Sequence, residues 1–232
     1  MTRSLALAVS LVVVPAATLA GCGESSSSSN HVAFRTPAQI ASAATTAAAS
    51  AATVHVAGSI VSEGQPISVD MELVAGKGAQ GWITLPGLDI RLVRIAQALY
   101  IKGGAALYSR FAGPVAARAL RGKWLKQSAG GGALASLATL TNLSQLIDLA
   151  LADHGKLTRA GTRTVNGERA VGVSDLAGGG TLYVATTGTP YPLAIVKRGE
   201  GRGRLVFDKW NQPVSLAVPP DPININQLQS GR

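Results

Sequence analysis

From Val54 onward, apolar residues fall on every second position, and this alternation constrains the fold more than any other feature of the chain. Val54, Val56 and Ile60 alternate with His55, Ala57 and Ser59, and Ile67, Val69, Met71 and Leu73 alternate with Ser68, Asp70 and Glu72. A period of two sends successive side chains to opposite faces, so these runs read as half-buried strands. Turn residues separate them: Ser62 to Pro66, Ala75 to Gly78, and Asn166-Gly167, a strong hairpin signal. Further strand-like runs cover Gln80–Leu85, Leu88–Ile95, Ala98–Lys102, Gly122–Lys126, Leu157–Val165, Glu168–Val173, Thr181–Thr186, Leu193–Arg198, Arg204–Asp208 and Val214–Val218. The expectation is an antiparallel meander of about ten or eleven strands, ended by Pro219-Pro220-Asp221-Pro222 because proline cannot donate to a ladder.

Helical signals interrupt the strands. Thr36-Pro37-Ala38-Gln39 places a capping threonine before proline at the first helical position and glutamine at the third, and an Ala-rich helix should follow to Ala52. Phe111–Leu120 is a weaker helical stretch. Leu134, Leu137, Leu140, Leu143, Leu146 or Ile147, and Ala150 recur at helical spacing up to a stop at Gly155. A large antiparallel sheet must curl or close, and its apolar face needs a cover. The fold class is therefore α+β, a strongly curved antiparallel sheet with helices over its concave face.

The N-terminus carries a different signal. Arg3 precedes an apolar run from Leu5 to Val14, then Pro15 and small residues, ending Leu19-Ala20-Gly21-Cys22. This is a secretory signal closing on a bacterial lipobox, with Cys22 as the acylation site and the first residue of the mature chain. It is too short to span a bilayer, which takes about 20 apolar residues. Cys22 is the only cysteine, which excludes an intramolecular disulfide. The expected organisation is signal peptide 1–21, acylated Cys22 and Ser-rich tether 22–35, one domain 36–222, and a tail 223–232. Such a protein would sit on the cell membrane, lipid-anchored at its extracytoplasmic face.

Composition narrows the function. With 47% apolar and 14% charged residues the chain is too apolar to be disordered. His31, His55 and His154 lie apart in tether, strand and helix end, without cysteine or carboxylate at ligand spacing, and no nucleophile elbow, P-loop or zinc motif occurs. Gly199-Glu200-Gly201-Arg202-Gly203 joins two strands and reads as a hairpin turn. Asp70 and Glu72 share a strand face as solvated residues do. No enzyme and no cofactor is expected. The net charge of +9 concentrates in Arg118, Arg121, Lys123 and Lys126 and in Lys197, Arg198, Arg202 and Arg204. No aromatic-basic platform is evident, so nucleic acid is not expected as a partner. Anionic headgroups and simple solubility account for the charge equally well.

The order of the lipobox, the Ser-rich run, "VHVAGSI", "ALYIKG", "GKWLK", the leucine-spaced helix, the "G-x-R-x-V-N-G-x-x-A-V" hairpin, "GTLYVATTGTPYPLAIVK" and "LVFDKWNQPVSLAVPP" resembles the LppX/LprG lipoproteins of mycobacteria and related actinobacteria. That resemblance implies a half β-barrel with helices over its concave side, related to periplasmic lipoprotein carriers. It also implies an apolar cavity that holds acylated lipid or glycolipid during transfer through the envelope, with a transporter or another lipid carrier as partner. Residues expected to face such a cavity are Ile67, Val69, Met71, Leu73, Ile83, Leu85, Ile90, Leu92, Leu99 and Ile101 from the strands, opposite Leu137, Leu140, Leu143 and Ile147 from the helix. The competing expectation is a non-catalytic module with a filled core that docks a membrane protein or an envelope polymer.

Overall fold

A computed structural model describes residues 28–129, 155–199 and 201–225. The signal segment, Cys22, the leucine-spaced stretch with Leu137, Leu140, Leu143 and Ile147, and residues 226–232 lie outside the described residues. The elements are α1 (Pro37–Ala49), β1 (Thr53–Ser62), β2 (Gln65–Val74), β3 (Gly78–Leu85), β4 (Leu88–Ile95), β5 (Ala98–Gly103), α2 (Ala105–Ala119), β6 (Leu125–Ser128), β7 (Leu157–Val165), β8 (Glu168–Asp175), β9 (Gly180–Ala185), β10 (Pro192–Lys197), β11 (Gly203–Asp208) and β12 (Ile223–Asn224). Among the described residues all strands join one sheet in the order β12-β6-β5-β4-β3-β2-β1-β11-β10-β9-β8-β7.

This order contains two meanders. Strands β1 to β5 follow one another through tight turns, β7 to β11 do the same, and antiparallel pairing of β1 with β11 fuses the two halves. The hairpin chemistry read from the sequence holds: Asn166-Gly167 links Val165 to Glu168 with φ of 49° and 84°, the left-handed pair that matches strand twist. The β1–β2 turn is tighter than Ser62 to Pro66, because Ser62 and Gln65 already pair and only Glu63-Gly64 turn.

Several expectations are corrected. Among the described residues the sheet has twelve strands and is mixed and open, since β12 runs parallel to β6 and neither it nor β7 closes the ladder. The prolines at 219, 220 and 222 therefore do not end the sheet: Ile223 N–H donates to the Trp124 carbonyl at 2.8 Å once the last of them has passed. Val214–Val218 forms no strand, despite its alternation. Both edges of β11 are occupied, by β1 and β10, so the chain leaving it finds no free ladder beside it. The helix expected at Phe111–Leu120 starts earlier, at Ala105, and is broken at Gly113 (φ 78°, ψ 168°), where Pro114 begins a second helical segment. The strand expected at Gly122–Lys126 lies at Leu125–Ser128.

The helices sit on the apolar face of the sheet. In α1 the Thr36 hydroxyl accepts from the Gln39 N–H at 3.3 Å, and the Gln39 side chain accepts from the Thr36 N–H at 3.1 Å, the capping box that the sequence spells. Such a cap contributes about 1 kcal/mol. Ile40, Ala41, Ala44, Ala47 and Ala48 are buried, and their small size lets the helix lie close on β7 to β10. Helix α2 packs on β4 and β5. Its fully buried Tyr108 fastens it there, the hydroxyl donating to the Lys123 carbonyl at 2.7 Å and accepting the Gly103 N–H at 3.2 Å.

The end of the expected tether is part of the fold. Ser29 bridges to Thr187, the Asn30 amide donates to the Ala185 and Gly188 carbonyls at 3.0 Å, and Val32 is 1% exposed beneath α1. The reason is local chemistry: an asparagine side chain can satisfy the open carbonyls of the β9–β10 turn, and a valine follows it into the core.

The seam between the meanders generates a stability prediction. Gly58 has φ +147°, and a Cβ there would lie 2.0 Å from the Arg204 carbonyl oxygen of β11. Gly58→Ala should lower the unfolding free energy by more than about 2 kcal/mol, whereas Gly64→Ala, at φ +74° with nothing within 4 Å, should cost about 1 kcal/mol. Urea denaturation midpoints of the two variants check the ranking.

Candidate functional site

The strand residues expected to line a cavity share one face. Cross-strand registers place Val69, Ile83 and Ile90 in one row, Met71, Gly81, Leu92 and Ile101 in the next, and Leu73, Ala79, Arg94 and Leu99 beyond them. Met71, Leu73, Ile83, Ile90, Leu92, Leu99 and Ile101 are buried in a single cluster, with Ile67, Val69 and Leu85 partly buried against it. Leu107, Tyr108, Ala117 and Leu120 of the α2 region and Ala48 of α1 complete the cluster. Alternation is the whole cause of this convergence: each strand turns every second residue inward, and antiparallel register aligns the sets. The partners expected from Leu137, Leu140, Leu143 and Ile147 lie outside the described residues.

Small residues interrupt this face, and Met71 Sδ and Leu107 Cδ2 fill the space over Gly81 and Gly103. Gly58, Gly81 and Gly103 and the small Ala79 occupy positions where neighbouring strands present Val69, Met71, Ile90 and Leu73. A groove of about 610 Å³ lies elsewhere, along α1, lined by Arg35, Gln39, Ser42, Thr46, Thr189 and Pro190 with alanines between them. None of the expected lining residues borders it.

The opposite face carries the polar half of the alternation and two features missed from sequence. His55 stands between two carboxylates: Nδ1 is 2.6 Å from Asp208 on β11 and Nε2 is 3.0 Å from Asp70 on β2. Burial alone would push its pKa down, but the hydrogen bonds to Asp70 and Asp208, together with the two negative charges, outweigh burial and hold it above the ordinary 6.5. The protonated ring donates from both nitrogens and ties three strands together. Glu72 is engaged separately, accepting from the Gln80 amide at 2.8 Å. Among the described residues no group of three or more histidines, cysteines or carboxylates is placed to hold a metal ion.

The second missed feature corrects the expectation that no aromatic-basic platform exists. The Arg91 guanidinium lies 5.6 Å from the Trp82 ring and 5.7 Å from that of Trp124, Lys102 lies 5.9 Å from Trp124, and Lys126 lies 5.8 Å from Tyr100. Register creates the cluster, since Trp82, Arg91 and Lys102 are direct cross-strand neighbours, as are Tyr100 and Lys126. The second basic group, around Lys197 and Arg204, sits at the β10–β11 turn, where the Gly199–Gly203 segment is a hairpin connection as expected.

The fold is similar to that of LprF from Mycobacterium bovis, with a TM-score of 0.57 and 16% identity over 79% of this chain and 96% of that one. It is similar also to the Mycobacterium tuberculosis lipoprotein LppX, with a TM-score of 0.53 and 18% identity over 78% of this chain and 98% of that one. No family model and no curated protein matches the sequence. The resemblance to the LppX/LprG lipoproteins read from the order of motifs thus reappears in the fold itself. No helix among the described residues is long and apolar enough to cross a membrane.

The histidine bridge makes stability depend on pH. Because the folded His55 pKa is raised, its contribution is fully present below the unfolded value of about 6.5 and is lost as pH rises through the folded value. The stability difference between the wild type and His55→Ala should therefore be largest near pH 6 and shrink at higher pH. Chemical denaturation at a series of pH values measures it; a difference that grows with pH contradicts the bridge.

Proposed function

We propose that the protein is a membrane-anchored lipoprotein that binds acylated lipid or glycolipid against the apolar face of its sheet and carries it within or across the cell envelope. The observation that carries this reading is the one-sided sheet: the inward positions of β1 to β5 are almost all aliphatic or glycine, with Arg94 the one charged side chain among them, a floor suited to acyl chains. Burial of each methylene on such a surface is worth about 0.8 kcal/mol. Fold likeness to the lipoprotein LppX supports the same reading. So does the glycine pattern, because Gly58, Gly78 and Gly81 adopt φ of +147° to +150°, and glycine kinks are the device that bends sheets into half-barrels. In this account Cys22 supplies the acyl anchor at the extracytoplasmic membrane face. A transporter or a second carrier delivers or receives the lipid, and no bond is made or broken.

One observation favours a second reading. Leu73, Ile83, Leu92, Leu99 and Ile101 are 0% exposed, which suits a filled core and a module that docks a membrane protein or an envelope polymer.

Mass spectrometry of organic extracts from the purified full-length protein separates the two readings. The carrier reading expects stoichiometric acylated lipid, and repeated lipid-free preparations that bind no acyl probe reject it. Val69→Trp, at a partly buried position of the floor, should leave the far-ultraviolet circular dichroism intact and cut co-purifying lipid several-fold. For the anchor, Cys22→Ala should abolish incorporation of labelled fatty acid, as read by autoradiography of the immunoprecipitated chain.

A further inference from the structure

The outer face of β3 to β6 concentrates cations on aromatic rings. Trp82, Arg91 and Lys102 form a row across β3, β4 and β5 that ends on Trp124, the residue before β6, and Tyr100 with Lys126 form the row beside it. Tyr100 is 4% exposed, Trp124 8% and Val93 6%, so they make an apolar bed, while Trp82 stands 51% exposed at its margin and Arg91 is exposed over it. Arginine and lysine stems cover the bed and hold their charges outward. The acids nearby are partnered: Asp70, opposite Trp82, is bonded to His55, Glu72 to Gln80, and Asp89 to Thr84 at 3.0 Å. Strands β5 and β6 carry no acid, and Lys123 adds a further exposed cation beside Trp124.

We propose that this face is a docking surface for an anionic lipid bilayer. It is the reverse of the sheet face assigned to acyl chains, and stands whether or not that face carries lipid. Three observations select a bilayer. The charge is complementary to phosphate headgroups and is set on neighbouring strands, so it meets a surface rather than a point. The patch lies on strand ladders, and the groove along α1 does not extend to it, so nothing here guides a linear polymer. Indole and phenol rings beside lysine and arginine are the composition that settles at the headgroup level. The lipobox at Cys22 gives the chain a reason to be near such a surface.

The test uses the full chain carrying Ser128→Cys, labelled with an environment-sensitive fluorophore. Position 128 is exposed and lies two residues from Lys126 on the same face of β6, and with Cys22 acylated as proposed no other free thiol remains. Phosphatidylglycerol vesicles should shift the label's emission to the blue, molar salt should reverse the shift, and phosphatidylcholine vesicles should give none. Arg91→Gln, Lys102→Gln and Lys126→Gln together should remove the shift, the ratio of docked to undocked face that the label reads on phosphatidylglycerol falling about a hundredfold, from about 1 kcal/mol per cation. If that triple variant does not fold, Lys126→Gln alone should produce about a fivefold loss. The same preparations are extracted for bound lipid, so failure of the carrier reading registers separately. An equal shift on both vesicle types, no shift on either, or a shift produced by soluble polyglutamate and not by vesicles overturns the proposal, the last in favour of an anionic polymer.

Discussion

Two meanders make one sheet here only because β1 and β11 pair. The ladder joins residues about 150 positions apart, from His55 opposite Asp208 to Ile60 opposite Gly203. Closing so long a loop carries an entropic cost before any contact compensates it, and nonlocal strand pairing of this kind slows folding. The seam is built accordingly. Gly58 and Gly203 bring the two backbones so close that a Cβ on either would collide with a carbonyl across the seam. On the outer face, the His55 bridge adds a charged clasp between β2, β1 and β11. Both rows of the apolar face run through this seam, from Leu205 and Phe207 to the strands on its other side.

The local parts of this architecture could be read directly. Alternation located β1 to β5 and assigned their inward residues, the Asn166-Gly167 pair marked its hairpin, and the Thr36/Gln39 pair marked the start of α1. Each depends on residues within a few positions of one another. What escaped depends on distant pairing. Val214–Val218 has a strand's alternation but no vacant partner, and Ile223–Asn224 has hardly any pattern yet finds the free edge of β6. The same distinction separates what was read from what was missed at the sites. The aliphatic face follows from each strand alone. The Trp82, Arg91 and Lys102 row, with Trp124 at its end, exists only through register across three strands, and Asp208 lies 153 residues from the histidine it holds.

The two faces divide the chemistry of the sheet cleanly. One presents aliphatic side chains and glycine to the helices, and the other presents ion pairs and cations stacked on rings. A strand with period two cannot change one face by a shift of one residue without exchanging the whole set, so each side protects the register of the other. The few polar intruders on the apolar side respect this. Tyr108 brings its hydroxyl into the cluster only by spending both its hydrogen-bonding roles on Gly103 and Lys123.

The fastening of Ser29 and Asn30 to the β9–β10 turn has a geometric consequence. With the chain held from Ser29 onward, residues 23–28 are all that separates the domain from Cys22. Fully extended, a segment of that length reaches at most about 25 Å. An acyl group on Cys22 would then act as a short mooring line, keeping close to the headgroups the end of the ladder that carries the β9–β10, β2–β3 and β4–β5 turns. Lys77, in the β2–β3 turn, would lie at that moored end and the Glu63-Gly64 turn at the opposite one. Lengthening the serine run would loosen this bearing without touching a single residue of the domain.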